Sequence, residues 1–117
     1  NLLEATTDGG GAVVLRDGTR VSVPAADGRH GPLSIGIRPE KLRADDAAEN
    51  KIRGTITEVA DTGVATQYVV DSPVGSLMVY VQNDKPGSAA HAPGDQLALS
   101  WDPAATFVLD RVEEARV

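Results

Sequence analysis

The residues able to do chemistry in this sequence are few, and the context of each weakens it. Two histidines, His30 and His91, each lie beside Gly or Pro in a predicted loop. Imidazoles so placed face solvent more often than they ligate a metal. Carboxylates are paired at Asp45-Asp46 and Glu113-Glu114, but neighbours at i and i+1 point apart on a strand or helix, which makes a general acid and base pair a poor reading of either. The run Asp8-Gly9-Gly10-Gly11 has the composition of a phosphate cradle. A cradle needs a helix N-terminus behind it, whereas β-branched residues follow here, so a turn before a strand is the better reading. No Gly-Lys-Ser/Thr triplet and no Gly-x-Ser-x-Gly elbow occurs. The absence of cysteine removes a thiolate metal site, a disulfide framework and a cysteine nucleophile together. By itself the chain reads as no enzyme, with no catalytic residue, no metal and no cofactor of its own.

Polyanion binding is disfavoured as well. Eleven Lys and Arg against seventeen Asp and Glu give a net charge of −6, and phosphate binding needs clustered cations. Tyr68 and Tyr80 could stack bases, but no Lys or Arg stands between Gly54 and Asp84, which leaves a nucleic-acid-binding barrel as a remote alternative.

The elements that must position these residues follow a period of two. Leu33, Ile35 and Ile37 alternate with polar or small residues, as do Leu97, Leu99 and Trp101, and Leu77, Val79 and Val81. Ala12–Arg16 and Arg20–Val23 flank Asp17-Gly18, a hairpin signal. A second hairpin joins Thr66–Val70 to Leu77–Val81 through Asp71–Gly75, and Lys51–Val59 and Thr106–Leu109 add two strands. About eight short strands with one short helical turn at Pro39–Leu42 predict an all-β barrel or sandwich. Its 117 residues and 41% hydrophobic content suit one core, over residues 1–110, with a tail at 111–117. Exposed loops are expected at Pro24–Pro32, Arg43–Asn50 and Asn83–Asp95. No run approaches the roughly 18 apolar residues of a transmembrane helix.

Gly36-Ile37-Arg38-Pro39-Glu40-Lys41-Leu42 resembles the Gly-Ile-Arg-Pro-Glu-x-Leu segment of transport-associated OB domains. Gly54-Thr55-Ile56, Gly63, Thr66–Val70, Val79–Asn83, Pro93-Gly94-Asp95 and Leu99-Ser100-Trp101-Asp102-Pro103 follow in the order that family shows. Asn1–Ala5 is similar to the stretch by which the chain enters such a domain, so the likeness runs from Asn1 to Asp110. It implies an OB-like antiparallel β-barrel, with Gly36, Arg38, Pro39, Glu40, Trp101 and Asp102 as its structural motif. It also implies the C-terminal accessory domain of an ABC-importer ATP-binding subunit, of the kind serving spermidine/putrescine, ferric-iron or sugar importers. The chain, which starts at Asn1 rather than Met, then reads as a domain cut from something longer. ATP and Mg would be bound by a nucleotide-binding domain preceding it. The partners implied are that domain, a second subunit in a homodimer and, indirectly, the membrane subunits, on the cytoplasmic face of the plasma membrane.

Parity counted along the second hairpin places Tyr68, Val70, Met78 and Tyr80 together on its outer side, opposite Leu77, Val79 and Val81, as the candidate partner interface. Trp101 continues the inward set of Leu97 and Leu99. If the domain senses a solute instead, a polyamine or an oxyanion, the polar rim of Asp61, Thr62, Gly63 and Gln67 is the candidate site. A charge of −6 favours the cation.

Overall fold

The computed structural model describes residues 1–7, 9–82 and 91–109. In them the period-two patterning becomes nine strands: β1 (Leu2–Thr7), β2 (Ala12–Leu15), β3 (Arg20–Ser22), β4 (Gly31–Ile37), β5 (Asn50–Asp61), β6 (Ala65–Ser72), β7 (Gly75–Gln82), β8 (Gln96–Trp101) and β9 (Thr106–Leu109). The strand beyond those expected is β1. Leu3, Ala5 and Thr7 are buried while Leu2, Glu4 and Thr6 are exposed, an alternation disguised in sequence by the small or polar buried members. The expected loop over residues 83–90 and the tail at 111–117 lie outside the described residues.

The strands form two antiparallel sheets, ordered β3-β2-β1-β4-β9 and β7-β6-β5-β8, here sheets A and B. Val13, Ile35 and Ile37 of sheet A and Ile56, Tyr68, Val70, Leu77, Val79, Leu99 and Trp101 of sheet B belong to one core, each at most 1% exposed. Burying each such side chain contributes about 1.5–3 kcal/mol. Strand β5 curls sheet B. Its first half pairs with β8 and its second half with β6, and a register shift between Ile56 and Glu58 bends it where the partner changes.

Two asparagines tie the sheets together. Asn50 opens β5 and is buried; its Oδ1 accepts from the Ser22 N–H at 2.9 Å and its Nδ2 donates to the Ser22 carbonyl at 2.8 Å, on edge strand β3. Asn1, just before β1, does the same on edge strand β7: Oδ1 accepts from the Met78 N–H at 2.7 Å and Nδ2 donates to its carbonyl at 2.8 Å. A primary amide carries the donor and acceptor of a peptide group, so each asparagine supplies a missing strand partner. The result is an all-β, OB-like fold. The helical turn expected at Pro39 is a 3-10 turn over Pro39–Lys41, and two more occur at Pro24–Ala26 and Pro103–Ala105, each begun by proline.

Candidate functional site

The hairpin of β6 and β7 corrects the parity expected for it. Its loop is only Pro73-Val74. Ser72 closes it, donating from Oγ to the Gly75 carbonyl at 2.7 Å and accepting from the Val74 N–H at 3.2 Å. With Ser72 opposite Gly75, Tyr68 pairs with Val79, Val70 with Leu77, Val69 with Met78 and Gln67 with Tyr80. Directly paired residues share a face, so Tyr68 and Val70 point inward with Val79 and Leu77, and both are 0% exposed. Neither is available to a partner. The Tyr68 ring meets His91 edge-on at 5.7 Å, and burial pushes its phenol above the ordinary value. Met78 and Tyr80 do face out, each 41% exposed, beside Val69 and Gln67. Because the Met78 N–H and carbonyl turn to Asn1 and away from β6, alternation sends the Tyr80 backbone toward the same outer edge.

The polar rim does not converge. Asp61 Oδ1 accepts from the Gly63 N–H at 2.8 Å, while Thr62 Oγ1 donates to the Ala65 carbonyl at 3.1 Å and accepts from the Ala65 N–H at 3.3 Å. Gly63 has φ of 89°, which glycine adopts without strain. These groups shape the β5–β6 turn. Gln67 pairs with Ala60 and Asp61 with Thr66, so Gln67 and Asp61 lie on opposite faces.

The motif residues meet at one corner. Gly36 is buried, and a Cβ there would collide with the Phe107 ring. Ile37 enters the core, Arg38 is exposed, and Pro39 starts the turn that carries Glu40. Trp101 is fully buried, and its Nε1 donates to Thr106 Oγ1 at 2.8 Å. Asp102 accepts from the Ala104 N–H at 2.8 Å and so starts the next turn. Between these turns lies an open cleft of about 750 Å³, lined by Glu40, Lys41, Arg43, Asp102 and four alanines.

Asp45, within the exposed loop expected at Arg43–Asn50, anchors the cleft's wall. It accepts from Arg43 Nε at 3.0 Å and Nη2 at 2.8 Å, from the Ala47 N–H at 3.1 Å and from buried Ser100 Oγ at 3.0 Å. The Arg43 guanidinium, helped by the Ala47 amide, lowers the Asp45 carboxyl to a pKa of about 2. The short Asp45-x-Ala47 turn is visible locally, but Ser100 stands 55 residues away, and nothing in the sequence joins them. Among the described residues, no three His, Asp or Glu side chains gather as a metal site would require.

Comparison with known proteins adds three findings. A family model described as TOBE domain matches residues 35–109. The chain is 32% identical to a spermidine/putrescine import ATP-binding protein PotA of Rubrobacter xylanophilus, over 93% of this chain and 31% of that protein. It is 39% identical to the protein of the same name from Acidothermus cellulolyticus, over 72% of this chain and 22% of that one. It therefore spans about a third or less of the length of these relatives. In fold it is similar to the cytoplasmic molybdate-binding protein ModG, with a TM-score of 0.75 and 12% identity over 92% of this chain and 94% of that chain. At that identity the likeness concerns the fold alone.

Proposed function

The chain belongs to the TOBE domain family, and from that premise we propose that it is the accessory domain of the ATP-binding subunit of a bacterial ABC importer, holding two such subunits together. The observation that carries this is the pattern of coverage. Proteins named as import ATP-binding proteins match nearly all of this chain with less than a third of their own length. ATP and Mg then belong to the remaining length, and this part contributes position rather than chemistry. The relatives' names make a polyamine the solute of choice. The subunit would sit on the cytoplasmic face of the membrane through its transporter; no helix of the described residues is long and apolar enough to cross it.

The holding surface is the outer face of β6 and β7, with Met78 and Tyr80 at its centre. A self-complementary contact across a two-fold axis keeps the two ATP-binding parts at an effective concentration of roughly millimolar through their open and closed states. Sedimentation velocity of the 117-residue chain, from low micromolar to millimolar, tests this. The expected result is a concentration-dependent dimer that spermidine leaves unchanged and that Tyr80→Asp abolishes.

The cleft beside the Pro39 turn favours a second reading, a solute sensor. Arg43 is neutralised there by Asp45, so Glu40 and Asp102 outweigh Lys41 and a cation suits the site. A monomer at every concentration, with a thermal shift on adding spermidine that Glu40→Gln removes, would replace the scaffold reading by this one.

A further inference from the structure

We propose that the outer face of sheet A, where β1 meets β4 and β9, is the seat of the polypeptide that precedes Asn1 in the longer subunit. This rests on the reading of the chain as part of such a subunit. Leu2, Gly36 and Phe107 lie opposite one another across β1, β4 and β9, and Glu4, Ser34 and Leu109 form the adjacent row. The Phe107 ring covers the bare Cα of Gly36. Leu2 at 62%, Phe107 at 39% and Leu109 at 42% exposure therefore form an apolar shelf on one face. Further along β1 the same face carries a shallow groove of about 250 Å³ between Glu4, Thr6, Val14 and Arg16. Clustered exposed apolar side chains mark contact surfaces, whereas scattered ones need no explanation.

The occupant follows from where the chain enters. The Asn1 side chain is bound twice to Met78, and its carbonyl accepts from the Ile37 N–H at 2.9 Å. Any residue joined to Asn1 thus emerges at a fixed point, one residue from Leu2. A segment tethered there samples the shelf at a roughly millimolar local concentration, so a small contact suffices. Three partly exposed side chains fall well short of the ~800 Å² per partner that a stable complex of free proteins buries. The shelf suits a tethered neighbour rather than a second copy. The Rubrobacter relative, matched over only 31% of its length, has ample chain to provide one.

The absence of cysteine makes the test direct. Leu2→Cys and Leu109→Cys place single thiols on the shelf, and Val64→Cys, at a position 74% exposed on the β5–β6 turn, serves as control. Maleimide labelling rates, read by peptide mass, are compared between the 117-residue chain and the full polypeptide of its own reading frame. Rates at positions 2 and 109 should fall at least tenfold in the longer protein, with position 64 unchanged. Rates within twofold at all three positions would overturn the proposal. So would rates at 2 and 109 that fall with concentration in the short chain alone, which would assign the shelf to a second copy. A reading frame with no ATP-binding sequence before Asn1 would instead remove the reading beneath the proposal.

Discussion

The two hairpins differ by one loop residue, and that residue decides which side chains the molecule can show. Strands β2 and β3 are joined through Arg16-Asp17-Gly18, closed by the Leu15 N–H to the Thr19 carbonyl at 2.8 Å. Val13 pairs with Val21 there, so residues of equal parity share a face. Strands β6 and β7 are joined through Pro73-Val74, and Tyr68 pairs with Val79, so residues of opposite parity share a face. An odd loop keeps parity and an even loop inverts it, because side chains alternate with a period of two. Tyr68 and Tyr80, equal in type and parity, therefore take opposite fates. One is core; the other is surface. Each hairpin also ends in an edge strand closed by an asparagine, Asn50 on β3 and Asn1 on β7.

Inserting one glycine between Pro73 and Val74 should have the largest effect on the second hairpin. The second hairpin then has the loop length of the first, and keeping β7 in line turns Leu77 and Val79 outward. The expected loss is about 3–6 kcal/mol, two buried aliphatic side chains, read by urea unfolding. An unchanged midpoint would mean that a bulge absorbs the insertion and that loop length does not set the register.

The two tyrosines should separate by burial. Tyr68→Ala should cost about 3–5 kcal/mol by removing a fully buried ring, while Tyr80→Ala, measured at micromolar concentration, should stay within about 0.5 kcal/mol. Equal effects would restore the outward reading of Tyr68. The asparagines differ by burial in the same way. Asn50→Ala leaves the Ser22 backbone groups short of partners in a part-buried setting and should cost about 1–3 kcal/mol. Asn1→Ala, where water can replace the amide, should cost about 1 kcal/mol or less. Thermal melts of both variants in one buffer would reverse the ordering only if β7, not β3, were the tighter closure.

A pH-dependent effect lies outside both hairpins. The folded Asp45 carboxyl is held by the Arg43 guanidinium at a pKa of about 2, below the ordinary aspartate value. Its contribution is present above pH 4 and lost as pH falls toward 2, because the unfolded chain binds the proton first. The Asp45 and Arg43 side chains are 43% and 56% exposed, so screening reduces the effect to about 1 kcal/mol. Asp45→Asn should lower stability by that amount at pH 7 and by nearly nothing at pH 2. A difference that persists at pH 2 would locate the loss in the Ser100 contact rather than in the charge.

The motif corner was legible because its information is local. Gly36 to Leu42 ends one strand and starts a proline turn within seven residues, and Trp101-Asp102-Pro103 does the same after β8. The inward set of Leu97, Leu99 and Trp101 follows from alternation within one strand, which no distant residue can alter. The outer face of the second hairpin was only half legible. Met78 and Tyr80 lie in one strand and keep their relation, whereas Tyr68 and Val70 belong to the other, and their side depends on a register that alternation does not encode.

Local sequence was enough for the short strands, their alternating apolar faces and the family motif at the corner. Period and turn chemistry act over a few residues, so composition and spacing suffice to read them. Tertiary structure decided which tyrosine faces out, that Asn50 and Asn1 close the sheets from 28 and 77 residues away, and that Asp45 of two adjacent aspartates is taken by Ser100. Those outcomes depend on which strands meet and in what register, and a one-residue change in a loop reverses them while leaving every local pattern intact.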